Sequence, residues 1–176
     1  MEIRIQKAKI TAENRIEIKY QQKNQTGGWN EFSLSCIEQA EPEFYTALSA
    51  LAADVVEMCE QPESYIDRIK VRGVSYSYGG DAEVMGATIS AGMTLLNSNC
   101  PLNMNTPHKA SDSYNDGPAD EKQLLSGDCF DRLRSLHSLA ERYVKGTRAQ
   151  GDLFADTTSA GESVTVTGEQ LEAATH

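Results

Sequence analysis

The 176-residue chain reads as an α+β protein: an antiparallel sheet, made of a three-strand meander plus a hairpin, packed with two helices and followed by a flexible C-terminal tail. Three observations predict this. Apolar residues alternate with period two through most of the first 36 positions and again between residues 66 and 95. Two other stretches repeat apolar residues at spacings of three and four, and the last thirty residues contain few large apolar side chains. A single domain over residues 1–146 and a tail over 147–176 follow from that division.

Taken in order, Ile3 to Ile10 and Arg15 to Gln22 are the first two strands, with Ile3, Ile5, Ile16, Ile18 and Tyr20 on alternate positions and Ala12-Glu13-Asn14 as the turn. The polar turn Asn24 to Gly28 leads to a third strand, Trp29 to Cys36, in which Phe32, Leu34 and Cys36 keep the period. Glu41-Pro42-Glu43 opens a helix, since proline suits the first helical position and acids favour the positive end of the helix dipole. Its stripe is Phe44, Leu48, Leu51, Val55 and Met58, and Pro62 stops it.

Ile66 to Tyr78 reads as a long strand in which Ile69 and Val71 occupy odd positions, while Val74, Tyr76 and Tyr78 occupy even ones. A change of phase at Gly73 predicts a β-bulge. Gly79-Gly80-Asp81 turns the chain into Glu83 to Leu95, where Met85, Ala87, Ile89, Ala91, Met93 and Leu95 alternate. Residues 97–117 carry no helical stripe and form a connection of a length that is usually functional or mobile. From Asp120 the pattern is helical again, with Leu125, Cys129, Leu133, Leu136, Ala140 and Tyr143 as the stripe, Ser126 as cap and Lys145-Gly146 as the end.

Sixteen Lys and Arg against 26 Asp and Glu give a net charge of −10. All the bases lie in residues 1–149 beside 21 acids, whereas residues 150–176 hold five acids and no base. A domain of charge −5 argues against strong non-specific DNA binding, which depends on neutralising phosphates. Cys36, Cys59, Cys100 and Cys129 show neither metal-ligand spacing nor a disulfide pattern, and no run of eighteen apolar residues exists. Reduced cysteines, no metal, no cofactor and a cytoplasmic location are the expectations.

Gln150-Gly151-Asp152-Leu153-Phe154 has the order Gln, any residue, Asp or Ser, Leu, Phe. It resembles the peptide by which bacterial replication and repair proteins dock on the DNA polymerase sliding clamp. Leu153 and Phe154 are adjacent apolar anchors, Gln150 carries an amide for a pocket rim, and Asp152 limits the local conformation; a tail position keeps them accessible. The alternative is that Leu153 and Phe154 cover the end of the last helix. Gly151 departs from the commonly apolar second position.

Two further places are candidates for a ligand. Arg68, Lys70 and Arg72 share a strand with Tyr76 and Tyr78, the cation and ring combination on which single-stranded nucleic acid is held, or else a solvated sheet face. His108 and Lys109, near Asp112, Tyr114 and Asp116, offer polar groups that suit a nucleotide, or else an ordinary polar loop. No nucleophile elbow, phosphate loop or zinc-protease helix is present, so no catalytic residue is assigned. His137 lies within the last helix and reads as a boundary residue.

The stretch Val71 to Gly80, the following Glu83 to Ile89, and Pro101-Leu102-Asn103 through Thr106-Pro107-His108-Lys109 resemble a family of small bacteriophage and prophage proteins of unassigned activity, from about residue 30 to Phe154. The resemblance implies a phage product in the bacterial cytoplasm, where a clamp-docking peptide fits a replication or recombination module. It also admits an anti-defence protein that sequesters a nucleotide signal.

Overall fold

The computed structural model describes residues 2–114 and 117–149. Among these, seven strands form one antiparallel sheet: β1 Ile3–Ile10, β2 Ile16–Lys23, β3 Trp29–Cys36, β4 Ile69–Gly79, β5 Val84–Met93, β6 Leu102–Asn105 and β7 Lys109–Ala110. Their spatial order is β3-β2-β1-β4-β5-β6, with β7 also paired to β5. Helices α1 (Pro42–Ala50), α2 (Ala52–Met58) and α3 (Gly127–Val144) pack their apolar stripes on one face of it. The meander, the β4–β5 hairpin and both helical regions stand where the alternation and the stripes place them.

Polar side chains define the turns. Asn24 Oδ1 accepts from the N–H groups of Thr26 (3.0 Å) and Gly28 (2.8 Å), which closes the β2–β3 turn. Ser126 Oγ accepts from Cys129 N–H at 3.2 Å, capping α3 as expected. Every member of the α3 stripe, from Leu125 to Tyr143, is buried.

Three local readings change. Residues Glu63–Arg68 form a 3-10 helix instead of the start of a strand, because Pro62 favours a turn and Tyr65 N–H bonds back to the Pro62 carbonyl at 2.9 Å. The first helix is divided at Leu51, whose N–H bonds the Leu48 carbonyl three residues back (3.3 Å); Leu51 and Val55 still face the core. The connection 97–117 is not all loop, since Leu102–Asn105 and Lys109–Ala110 supply the edge of the sheet.

One-residue insertions keep the apolar residues on the helix side. In β1, Ile5 opposes Tyr20 while Lys7 opposes Lys19, so Gln6 is extra, and the buried set passes from Ile5 to Ala8. In β4, Val71 opposes Ala91 while Gly73 opposes Ser90, so Arg72 is extra at the predicted change of phase. The edge bulges too: Asn105 opposes Ser90 and Lys109 opposes Ala87, four steps against three. Thr106 fills that gap, donating its N–H to the Ile89 carbonyl and accepting from Ile89 N–H through its hydroxyl, both at 2.9 Å.

Between the helices lies an ion pair whose acid is buried and whose base is partly exposed. Asp54 is 1% exposed and takes two bonds from Arg132, Nε to Oδ2 at 2.8 Å and Nη2 to Oδ1 at 2.7 Å. Asp54 occupies the apolar face of α2 with Leu51, Val55 and Met58, and Arg132 flanks the α3 stripe. An acid within one stripe and a base beside another is the sequence signal for this pair.

At Gly73 the approach of β1 leaves no room for a side chain: a Cβ would lie 2.5 Å from Lys9 Cβ and 2.6 Å from the Ala8 carbonyl oxygen. Gly73→Ala is therefore expected to lower stability by about 2 kcal/mol, the usual cost of forcing backbone apart in a packed region, as read by the midpoint of urea unfolding. A midpoint equal to wild type contradicts the close approach.

Candidate binding surface of the sheet

Because the helices take one face, the other face of the sheet is open. Period two places Lys7 and Lys9 of β1, Lys19 of β2 and Lys70 and Arg72 of β4 on it, with Ser75, Ser77, Thr88 and Ser90 between them. Lys7 and Lys19 stand directly opposite each other, a like-charge pairing that costs stability and favours an anion nearby. Lys9 is paired with Glu17 at 2.6 Å, and that hydrogen bond holds the Glu17 carboxyl below its ordinary range.

At one end of the face, pairing of β1 with β4 stops at Lys9 opposite Gly73. Beyond it the two strands part around a cavity of about 550 Å³, lined by Ile10, Thr11, Asn14, Gln39, Tyr45, Lys70, Val71 and Arg72. Lys70 has no ion-pair partner among the described residues, and Arg72 Nη1 donates to Asn103 Oδ1 at 3.0 Å. Tyr45 Oη donates to Gln39 Oε1 at 2.6 Å, fixing the wall opposite β4. The Arg72 guanidinium lies over Gly92 of β5, on the side of β4 away from β1, and it is Lys70 and a phenol around apolar Ile10 and Val71 that suit an anionic ligand or an acidic peptide.

The second end gathers His108, Ser77 and Tyr114. His108 Nε2 lies 2.7 Å from Ser77 Oγ and 3.4 Å from Tyr114 Oη, and the two rings stack with centroids 6.3 Å apart. They lie over Gly86, where a Cβ would be 2.5 Å from His108 Nε2 and 2.7 Å from Tyr114 Oη, so this part of the long connection folds onto the sheet only over glycine. A Ser–His distance of this size suits nucleophile activation, but among the described residues no carboxylate holds the other ring nitrogen. What the arrangement does is fasten the connection to β4 and β5.

The structure thus divides the sequence candidates. Lys70 and Arg72 are together; His108 is on the same face, about 20 Å along β5 if counted from Gly92, beside Arg72, to Gly86. Lys109 opposes Ala87 and turns to the helix side, where it lines a separate cavity of about 300 Å³ with Asp54, Glu57, Glu121 and Cys129. Burial pushes the Cys129 thiol up to about 12, with Asp54 adding to the effect, so it behaves as an apolar side chain.

Tyr76 and Tyr78 are on the face opposite Lys70 and Arg72, because the extra residue at Arg72 inverts the alternation. Tyr76 is buried and donates to the Leu133 carbonyl at 2.9 Å, so its ring is not available to stack on a base. Tyr78 donates to the Ile5 carbonyl at 2.8 Å and lies 2.9 Å from His137 Nε2, which itself accepts from Ile5 N–H at 3.3 Å. His137 and Tyr78 together bind the backbone of β1 where Gln6 bulges. Arg4 closes the site from outside, 3.8 Å from the Trp29 ring centroid, 5.3 Å from that of Tyr78, and ion-paired with Glu83.

Gln150, Asp152, Leu153 and Phe154 lie outside the described residues, as does Asp116. The residues just before the pentapeptide are tied to the domain: Arg148 Nε pairs with Glu38 Oε2 at 2.9 Å, its guanidinium lies 3.7 Å from the Tyr143 ring centroid, and Ala149 N–H donates to the Gln39 carbonyl at 3.0 Å. Tyr45 and Gln39 carried no signal in the sequence, since only the tertiary fold sets them opposite β4. Among the described residues no group of three His, Cys, Asp or Glu is placed to hold a metal, and no helix is long and apolar enough to cross a membrane. Comparison of the chain with family models, with curated proteins and with solved structures finds no match.

The β1 clasp titrates. Burial holds the His137 imidazole below its ordinary value, opposed by Glu141, and pushes the Tyr78 phenol up to about 12, opposed by Arg4. The unfolded chain therefore binds a proton at His137 more readily than the folded one. Stability is expected to be full above pH of about 7 and to fall as the pH drops through about 6.5, and at the other extreme to fall above about 10 as Tyr78 ionises in the unfolded chain. Melting temperatures across pH, with His137→Gln flattening the acid side, check this; an unchanged acid limb in the variant assigns it elsewhere.

Proposed function

We propose that this chain is a non-enzymatic, phage-encoded accessory protein of DNA replication or recombination that docks on the bacterial sliding clamp through Gln150, Asp152, Leu153 and Phe154. The observation that carries the reading is the position of the pentapeptide. It begins at the residue after Ala149, whose N–H is the last described hydrogen bond to the domain. A short linear motif there is joined to a folded domain without an intervening linker, so docking brings the α+β domain against the clamp.

The resemblance to phage and prophage proteins supports the bacterial cytoplasm as the setting. The open face, with Lys7, Lys19, Lys70 and Arg72, is the surface such a domain would turn toward phosphate near the clamp. The second reading is an anti-defence protein that sequesters a nucleotide signal. It is favoured by the Lys70 and Arg72 cavity, whose size suits a nucleotide, and it leaves His108 and Lys109 outside the ligand site. A rise in melting temperature with one member of a nucleotide panel supports that reading.

Calorimetric titration of the full chain into a bacterial sliding clamp tests the first. Binding is expected for wild type and a loss of at least about tenfold, about 1.4 kcal/mol, for Leu153→Ala/Phe154→Ala, since two adjacent apolar anchors carry most of a motif's affinity. Equal binding by both proteins removes the pentapeptide from the interface.

A further inference from the structure

We infer that Gln150 to Phe154 also docks in cis, in the cavity between β1 and β4, adding a short strand to the free side of β4, so that this cavity and the clamp compete for the same five residues. The docking rests on the geometry of the domain. The competition rests on the clamp reading given above.

Three observations lead there. First, the chain leaves the described domain at the rim of this cavity: Ala149 is bonded to the carbonyl of Gln39, and Gln39 is part of the wall. Arg148 fixes the exit through Glu38, the Tyr143 ring and the Tyr143 carbonyl (Nη1 to O 2.6 Å). Five extended residues reach about 17 Å, more than the length of Ile69–Arg72.

Second, β4 has an open side here. Its residues Ile69–Val71 pair with Met93–Ala91 of β5, but pairing with β1 does not extend past Gly73. Backbone groups of an unpaired strand side are a template for an added strand, with main-chain bonds giving affinity and alternate side chains giving selectivity.

Third, the chemistry matches the segment. Ile10, Val71 and the Tyr45 ring are apolar surface for Leu153 or Phe154, while Lys70 meets Asp152 and the acids that follow. Residues 150–176 carry five acids and no base, so the segment is attracted to Lys70 wherever it approaches it. Lys70 is exposed and without an ion pair among the described residues, which leaves its charge for that purpose.

A peptide seated in cis must be released before a clamp can take it, so the apparent affinity for the clamp falls by the fraction that is free. Anything anionic that fills the Lys70 and Arg72 cavity, a nucleotide included, would displace the segment and raise that fraction.

The test uses the full chain labelled for NMR, compared with full-length Leu153→Ala/Phe154→Ala. Docking predicts shifted amide signals at Ile10, Tyr45, Lys70, Val71 and Arg72 in the variant, with faster amide exchange in Lys70–Arg72. Unchanged signals at those residues overturn it, and so do changes confined to the apolar groove of Ala47 and Leu139 between α1 and α3. Clamp titration of Lys70→Glu/Arg72→Glu then reads the competition: affinity is expected to rise several-fold, and an unchanged or weakened affinity overturns it. No clamp binding by any variant removes the clamp reading and the competition together, while the spectra alone decide the docking.

Discussion

The extra residue at Arg72 is the constraint on which the rest of this sheet depends. β4 lies between β1 and β5, and it must offer Ile69 and Val71, then Val74, Tyr76 and Tyr78, to the same helices. Without an insertion, half of these side chains would point into water and Lys70 and Arg72 would share a face with Tyr76 and Tyr78. The bulge reconciles both requirements, and Gly73 permits it by letting Ala8 and Lys9 of β1 approach the backbone where the strand bends.

The same insertion explains why β1 and β4 part company. Past Gly73 the two strands no longer keep a common register, and the opening is lined by what the neighbouring segments bring: Thr11 and Asn14 from the first turn, Gln39 from the approach to α1 and Tyr45 from its first turn. At the far end β1 separates from β4 again, and here the gap is closed by side chains instead of left open. His137 and Tyr78 bond the backbone of Ile5 in place of a strand. One strand pair therefore has a sealed end and an accessible one, and the accessible end is where the chain leaves the domain.

The fold was legible where a pattern was long enough to outweigh local exceptions. Ten alternating positions in β5 and the 4, 4, 3, 4, 3 spacing from Leu125 to Tyr143 allow one reading each, and the phase change at Gly73 was visible because apolar residues stand on both sides of it. Leu102 to Asn105 was too short, and its alternation too polar, to be separated from loop, yet β5 makes it a strand by supplying a partner. Ile66 is apolar but stands at an even position, out of phase with Ile69 and Val71, and Pro62 and the paired bonds of Arg68 to the Thr94 carbonyl (2.9 and 2.7 Å) set a turn there. The candidate site was legible only in part. Spacing brings Lys70 beside Arg72 and sets the adjacent His108 and Lys109 on opposite faces, whereas which of those two turns to the helices depends on the bulge at Thr106, which no residue pattern announces.

That bulge has a further effect at the boundary of the sheet. An exposed strand edge is a place where a second chain can add itself, and the two edges here differ in how well they resist it. On the β6 and β7 side the edge is two short pieces, interrupted at Thr106-Pro107-His108 and set with Asn103 and Asn105, a poor template for growth. On the β3 side eight residues pair with β2 in unbroken register, and Phe32, 42% exposed, stacks on Tyr20 with centroids 5.3 Å apart. The molecule is thus blunt at one border and adhesive at the other, so self-association at high concentration would begin at β3.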